Sequence, residues 1–209
     1  MTKIVPRLTR PASLADGLPP EPVCRFSVDQ YHRMADAGVI EFDARIELLE
    51  GWLFRKPKRS PLHCAIQRCL SRHIEKLVGD AWEVSTVRAL TLLDSEPEPD
   101  LVVVPERPDD YWDRHPGPED VALVVEVAEG RIERDTVLKH RIYARAGIPT
   151  YWLIHPVARQ IEVFTSPVGP AKRPHYSRRT VFGSNELIPL KLVERNVGAI
   201  PVEEFLLTD

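Results

Sequence analysis

PEDVALVVEVAEG, residues 118–130, decides the fold. From Val121 to Val127 every position but Glu126 is apolar. A short run of this kind, rich in valine and bounded by Pro118 and Gly130, reads as a strand covered on both faces of a sheet. A carboxylate inside such a strand needs an explanation. Removing an ionised group from water is expensive unless a cation or a set of donors receives it. Glu126 therefore lies at an open strand end or faces something positive.

Working outward, a second apolar run, DLVVVP at 100–105, follows the proline-laden EPEP. Residues 105–120, with four prolines and several acids, read as the loop between the two strands. After Glu126, RIERDTVLKHRIYARAG (131–147) spaces Ile132, Val137/Leu138, Ile142 and Ala146 for a packed helix that Gly147 ends. TYWLIH (150–155) and QIEVFTS (160–166) read as a hairpin, and AKRPHYSRR (171–179) as a basic turn. An apolar run from Leu187 to Leu192 and a short helix at VEEFL (202–206) close the chain.

Toward the N-terminus, RFSVDQYHRMADAG (25–38) opens a helix on Ser27, with Gln30 completing a capping box and Gly38 as its stop. ARIELLEGWLFRK (44–56) reads as two short strands turning at Glu50-Gly51. RSPLHCAIQRCLSRHIEKLVGD (59–80) takes Ser60 as cap and Pro61 as first helical residue, with Leu62, Ile66, Cys69/Leu70, Ile74 and Leu77 on one face and Gly79 at its end. WEVSTVRALTLL (82–93) is strand-rich. This order predicts an α/β fold, a mixed sheet flanked by helices with hairpins attached. Residues 1–24, carrying Pro6, Pro11, Pro19, Pro20 and Pro22, are expected to form an irregular arm, leaving 25–209 as a single domain.

At 209 residues, 43% hydrophobic and 28% charged, the chain suits one good core. It has no apolar stretch of membrane-spanning length and no apolar leader segment, so a cytoplasmic protein without a membrane partner is expected. Cys24, Cys64 and Cys69 form no CxxC and fit reduced thiols. A net charge of −3 gives no general attraction to nucleic acid, so DNA binding needs a local basic face or metal ions. Candidate phosphate contacts are Arg55, Lys56, Lys58 and Arg59 in one basic stretch and Lys172, Arg173, Arg178 and Arg179 in another. The P-loop, the GxGxxG turn and the GxSxG elbow are missing from the sequence. His63, Cys64, Cys69 and His73 suggest zinc only weakly, because Cys69 shares the apolar stripe.

Each apolar strand carries one acid, Asp100 at the entry of the first and Glu126 near the exit of the second. If the strands run antiparallel, both carboxylates can reach one ion, and two hard oxygen donors suit Mg²⁺ or Mn²⁺. The alternative is structural: Asp100 ends a strand, and Glu126 pairs with an arginine such as Arg88 or Arg131.

The combination of Pro99-Asp100, Glu126 in its apolar strand, RIELLEG, SPLH and above all YARAGIPTYWLIHP resembles the Uma-type restriction endonuclease family, within the PD-(D/E)XK nuclease superfamily. The resemblance covers residues 26–206. It implies a restriction-endonuclease-like fold and a Mg²⁺- or Mn²⁺-dependent endonuclease acting on DNA. Asp100, Glu126 and the backbone carbonyl of Val127 would hold the ion. The superfamily's simplest pattern puts a lysine two residues after the glutamate, where this chain has Ala128, and the resemblance points instead to Lys139 on the following helix. Read from spacing alone, Lys139 is a surface rung held by Asp135. Glu47 corresponds to an acid that often joins the metal cluster; by strand alternation it is a solvent-facing residue. Tyr143 is expected in core packing, and His63 at an exposed helix start. Glu129-Gly130 stands where the family usually reads a serine and a proline, adding negative charge next to the site, and His155 where an acid is common. A homodimer would let two sites cut two strands. The alternative function is a degraded nuclease-fold module that binds nucleic acid or a protein partner.

Overall fold

The two apolar runs pair directly. In the computed structural model, which describes residues 24–41, 44–129, 134–193 and 195–206, β4 (Leu101–Pro105) and β5 (Leu123–Val127) are antiparallel with Leu101 opposite Val125. Asp100, one residue before Leu101, thus comes level with Glu126. The expected arm at 1–24 lies outside the described residues except for Cys24, as do Arg131 and Ile132.

β4 and β5 sit inside a six-stranded sheet of order β3-β4-β5-β6-β7-β8, completed by β3 (Trp82–Ser85), β6 (Thr150–His155), β7 (Gln160–Val168) and β8 (His175–Gly183). Only β5 and β6 run parallel. A parallel pair needs a crossover from one end of the sheet to the other. Here that crossover holds a π-helical segment, Arg134–Lys139, which runs into α3 (His140–Ala146). Gly147 ends α3 in the left-handed conformation.

Helices cover both faces. On one, α2 (Pro61–Val78) packs Ile66, Leu70 and Ile74 on Leu101, Val103, Leu123 and Val125, together with residues of the β9 (Leu187–Leu192) and β10 (Arg195–Pro201) ribbon. On the other, Ile142, Tyr143 and Ala144 of α3 join Val102, Val124, Ala128 and Tyr151. Each such aliphatic side chain contributes about 1.5–3 kcal/mol when fully removed from water. The valine runs of β4 and β5 are thus buried on both sides.

Both N-terminal caps form as the sequence predicts. Ser27 and Gln30 exchange hydrogen bonds at the start of α1 (Val28–Asp36), and Ser60 Oγ accepts from the His63 amide at the start of α2. β1 (Ile46–Leu49) and β2 (Trp52–Arg55) form the expected hairpin, with positive φ at both Glu50 and Gly51. This is the turn geometry whose twist matches paired strands.

Several local readings change. Only Trp82–Ser85 of the strand-rich 82–93 segment is strand. His175–Arg179 belongs to β8 and not to a turn, because its backbone pairs with β7 while its charged side chains blunt an exposed sheet edge. VEEFL forms only a 3-10 turn, Val202–Glu204. Leu62 is exposed, since the first turn of α2 directs His63 inward, onto Asp100, instead.

Candidate active site

The site forms where β4 begins and β5 ends. Asp100 is 6% exposed and Glu126 3%, so both acids are buried and must be compensated. Asp100 Oδ2 accepts the Val127 amide at 2.9 Å, and Oδ1 accepts from His63 Nε2 at 3.0 Å. A carboxylate only accepts, so Nε2 carries the imidazole proton in this contact. Gln67 donates to the Asp100 carbonyl, fixing the backbone there. Burial alone would raise the Asp100 pKa, but the His63 contact, the Val127 amide and the Lys139 charge together hold it down at about 2. Asp100 is an anion at neutral pH.

Lys139 answers for Glu126. Its ammonium is fully buried, 2.8 Å from Glu126 Oε1 and 3.1 Å from Glu47 Oε2. The surface-rung reading of Lys139 is therefore overturned. Glu126 and Ala128 share one face of β5 by alternation, and Ala128 packs in the cluster that contains Leu138 and Tyr143. Lys139 reaches Glu126 from the crossover segment, whose Leu138 packs in that same cluster. Tyr143, one helical turn on, donates its hydroxyl to Glu126 Oε1 at 2.7 Å. Burial, with the Glu126 charge, pushes the Tyr143 pKa well up, so it remains a donor. Its role is thus polar as well as packing.

Glu47 is also buried, against the solvent-facing expectation. Alternation does not sort β1 into an inner and an outer face, because Glu47 and Leu49 on one face and Leu48 on the other are all buried, while the 95–98 segment pairs along the strand's edge, with Glu96 N–H on the Leu48 carbonyl and Glu98 N–H on Glu47 Oε2. A second clasp joins this hairpin to α3. Glu50 receives Arg141 through two nitrogens and Arg145 through one, and Arg145 also pairs with Asp94. The hairpin that carries Glu47 is in this way docked on the helix that follows Lys139.

A pocket opens onto these groups, floored by His63, Asp100, Glu126 and Val127 and rimmed by Arg45, Lys58 and Arg59. Arg59 Nη2 stands 3.5 Å from Asp100 Oδ1. Lys56 also lines it but is committed to Glu98, whose backbone carbonyl it meets at 2.5 Å, so it is not a spare phosphate contact. Glu129 reaches the same wall, held by Ser60 Oγ at 2.8 Å. Of the second basic stretch, Arg179 is paired with Glu162, while Lys172, Arg173 and Arg178 are exposed. Arg88 pairs with Glu83 and Asp110 and not with Glu126.

Among the described residues no three His, Cys, Asp or Glu side chains close around one point as a complete metal cage. The donor set fits a harder, wetter ion. Two buried carboxylates beside the Val127 carbonyl, in a pocket open to water, match Mg²⁺ or Mn²⁺, which keep several waters of their own. The Val127 carbonyl already accepts the Glu129 amide at 3.1 Å and has a second lone pair left to offer.

A family model described as "Uma2: Putative restriction endonuclease" matches residues 28–203. The chain belongs to that family. A solved structure from Anabaena variabilis, described as a "putative nuclease belonging to DUF820", is 18% identical with a TM-score of 0.61, over 87% of this chain and 97% of the other. That likeness is one of fold, a restriction-endonuclease-like α/β sheet. No curated protein matches the chain. The fold is thus shared with that structure, and the family is one described as restriction endonucleases. What the sequence reading did not give is the burial of His63 against Asp100 and the hydrogen bond from Tyr143 to Glu126. Both had a signal: 63, 66, 70 and 74 share a helix face, and Tyr143 lies one turn from Lys139.

No helix among the described residues is long and apolar enough to cross a membrane.

Proposed function

We propose that the protein is a Mg²⁺- or Mn²⁺-dependent endonuclease that hydrolyses DNA phosphodiester bonds, with a PD-(D/E)XK site whose lysine comes from a helix. The observation that carries this reading is the convergence of Asp100 and Glu126, from two neighbouring strands, in one pocket wall, with the buried Lys139 bonded to Glu126 behind it. Asp100, Glu126 and the Val127 carbonyl would hold the ion, with Glu47 as an outer acid. When bound, such an ion supplies Lewis acidity toward the phosphate and lowers the pKa of water beside it. The chain's own residues do the rest. Lys139, pinned between Glu126 and Glu47, presents an ammonium where charge builds up on the phosphate, and it orients the attacking water. Tyr143 keeps Glu126 from turning away. Arg45, Lys58 and Arg59 give the pocket mouth the positive charge that the whole chain lacks.

The test is calorimetric titration of Mg²⁺ and Mn²⁺, followed by plasmid nicking, on wild type, Asp100→Ala and Lys139→Ala. Metal binding lost in Asp100→Ala, with nicking lost in both, supports the enzyme. No heat at millimolar ion sinks it. Glu129 favours a second reading, a binding module without turnover, because it adds a carboxylate beside the path of an anionic substrate. Ion binding and DNA binding without cleavage of any DNA form would establish that one.

A further inference from the structure

Arg59 stands between the acids of the site and the solvent from which a substrate would come. It precedes Ser60, the cap of α2, so its backbone is anchored at a helix start. Its side chain is 28% exposed and lines the pocket, with Nη2 3.5 Å from the same Asp100 oxygen that His63 holds at 3.0 Å. A well-made arginine–carboxylate pair has two parallel N–H bonds at about 2.7–2.9 Å. This one is longer and engages Asp100 through a single nitrogen. The Nε of Arg59 is buried and has no hydrogen-bond partner among the described residues. The guanidinium is thus held by charge, with donors left over.

We propose that Arg59 is a placeholder cation. It neutralises Asp100 while the site has no metal, and it moves onto a phosphodiester oxygen of the substrate when a divalent ion takes Asp100. Ion entry and phosphate capture then form one exchange. This rests on the metal reading of Asp100 and Glu126 given above. The other cations paired with acids at the site do not suit the part. Lys139 is fully enclosed and bonded to two acids, Lys56 is spent on Glu98, and His63 is buried at the helix start. Arg59 alone among these combines a long flexible stem, partial exposure and a spare donor. Its planar fork suits the two free oxygens of a phosphodiester.

The exchange has a signature that a purely structural arginine lacks. If Arg59 competes with the ion for Asp100, its removal tightens the ion; if it also grips phosphate, its removal weakens DNA. The two affinities move in opposite directions. By linkage, ion and DNA strengthen each other in the wild type by one common factor, and that factor shrinks in the variant.

The experiment titrates Mn²⁺ into the full chain by calorimetry, for wild type, Arg59→Gln, Arg59→Lys and Lys58→Gln, and measures labelled duplex DNA binding by anisotropy in Ca²⁺. Arg59→Gln should bind Mn²⁺ about tenfold more tightly and DNA about tenfold more weakly, with Arg59→Lys between it and wild type. Lys58→Gln, an exposed rim charge that does not contact Asp100, should leave Mn²⁺ affinity within about twofold. Unchanged or weaker Mn²⁺ binding in Arg59→Gln overturns the exchange, as does equal tightening in Lys58→Gln. If Arg59→Gln fails to fold, Arg59→Lys carries the same comparison. An ion bound by wild type but indifferent to Arg59 defeats the exchange alone, whereas no ion bound by any of the four proteins defeats the metal reading beneath it.

Discussion

Lys139 Nζ lies 2.8 Å from Glu126 Oε1, though the two residues are thirteen positions apart in the chain. The contact joins a helix to the strand that the chain left before crossing over. Replacing the lysine with methionine keeps the volume but leaves Glu126 and Glu47 buried without that ammonium. Lys139→Met should therefore lose about 3–5 kcal/mol of stability in urea denaturation and on the order of 10² in nicking rate. Added Mn²⁺ should recover part of the stability by supplying the missing positive charge. A variant as stable as wild type would contradict the buried placement of the lysine.

Tyr143→Phe separates packing from hydrogen bonding. The ring stays in the core, and Glu126 loses one donor at 2.7 Å. The expected loss is about 1–3 kcal/mol in thermal or urea unfolding, with nicking reduced and calorimetric ion binding retained. A variant of wild-type stability would mean that the hydroxyl contributes nothing.

Much of this could be read from the sequence, and what could not has a physical cause. The caps at Ser27 and Ser60, the Glu50-Gly51 turn and the valine runs are local signals, and local geometry honours them. The acids of β4 and β5 were legible because a charge is out of place in a buried strand. The burial of Glu47 and His63 was not. Their burial depends on what docks over β1 and over the first turn of α2, and those partners lie tens of residues away. Lys139 was legible only through family resemblance, since the helix spacing by itself favoured a surface residue. β8 was missed because an edge strand needs only one buried side and tolerates a basic sequence.

Asp100 sets an acid limit on the metal-free protein. Its folded pKa of about 2 lies below the ordinary carboxylate value of 3.8. A depressed pKa stabilises the fold above the unfolded value, and this stability is lost as pH falls through about 4 toward 2. The size is on the order of 2 kcal/mol. Urea midpoints measured in chelator from pH 6 down to 2 should fall more steeply for wild type than for Asp100→Asn. Parallel curves would show that the carboxylate is not held down as described.

Gly51→Ala tests the hairpin. Gly51 has φ +79°, and a methyl group there would meet Arg25 Cβ at 2.5 Å and the Phe26 carbonyl at 3.1 Å. Destabilisation of about 1–3 kcal/mol is expected. Nicking should fall as well, because the same hairpin holds Glu47 against Lys139. Thermal unfolding and plasmid nicking of the single variant check both, and a fully active, fully stable protein would contradict the close approach.

The Glu47–Lys139 contact has a consequence for how such an activity would be kept in check. A chain still emerging from the ribosome, or one clipped beyond β5, carries Glu47, Asp100 and Glu126 but not the lysine. On the proposed function, a chain that ends between Val127 and Lys139 is chemically silent. The segment that carries Lys139 is then the part whose docking on the acids completes the site.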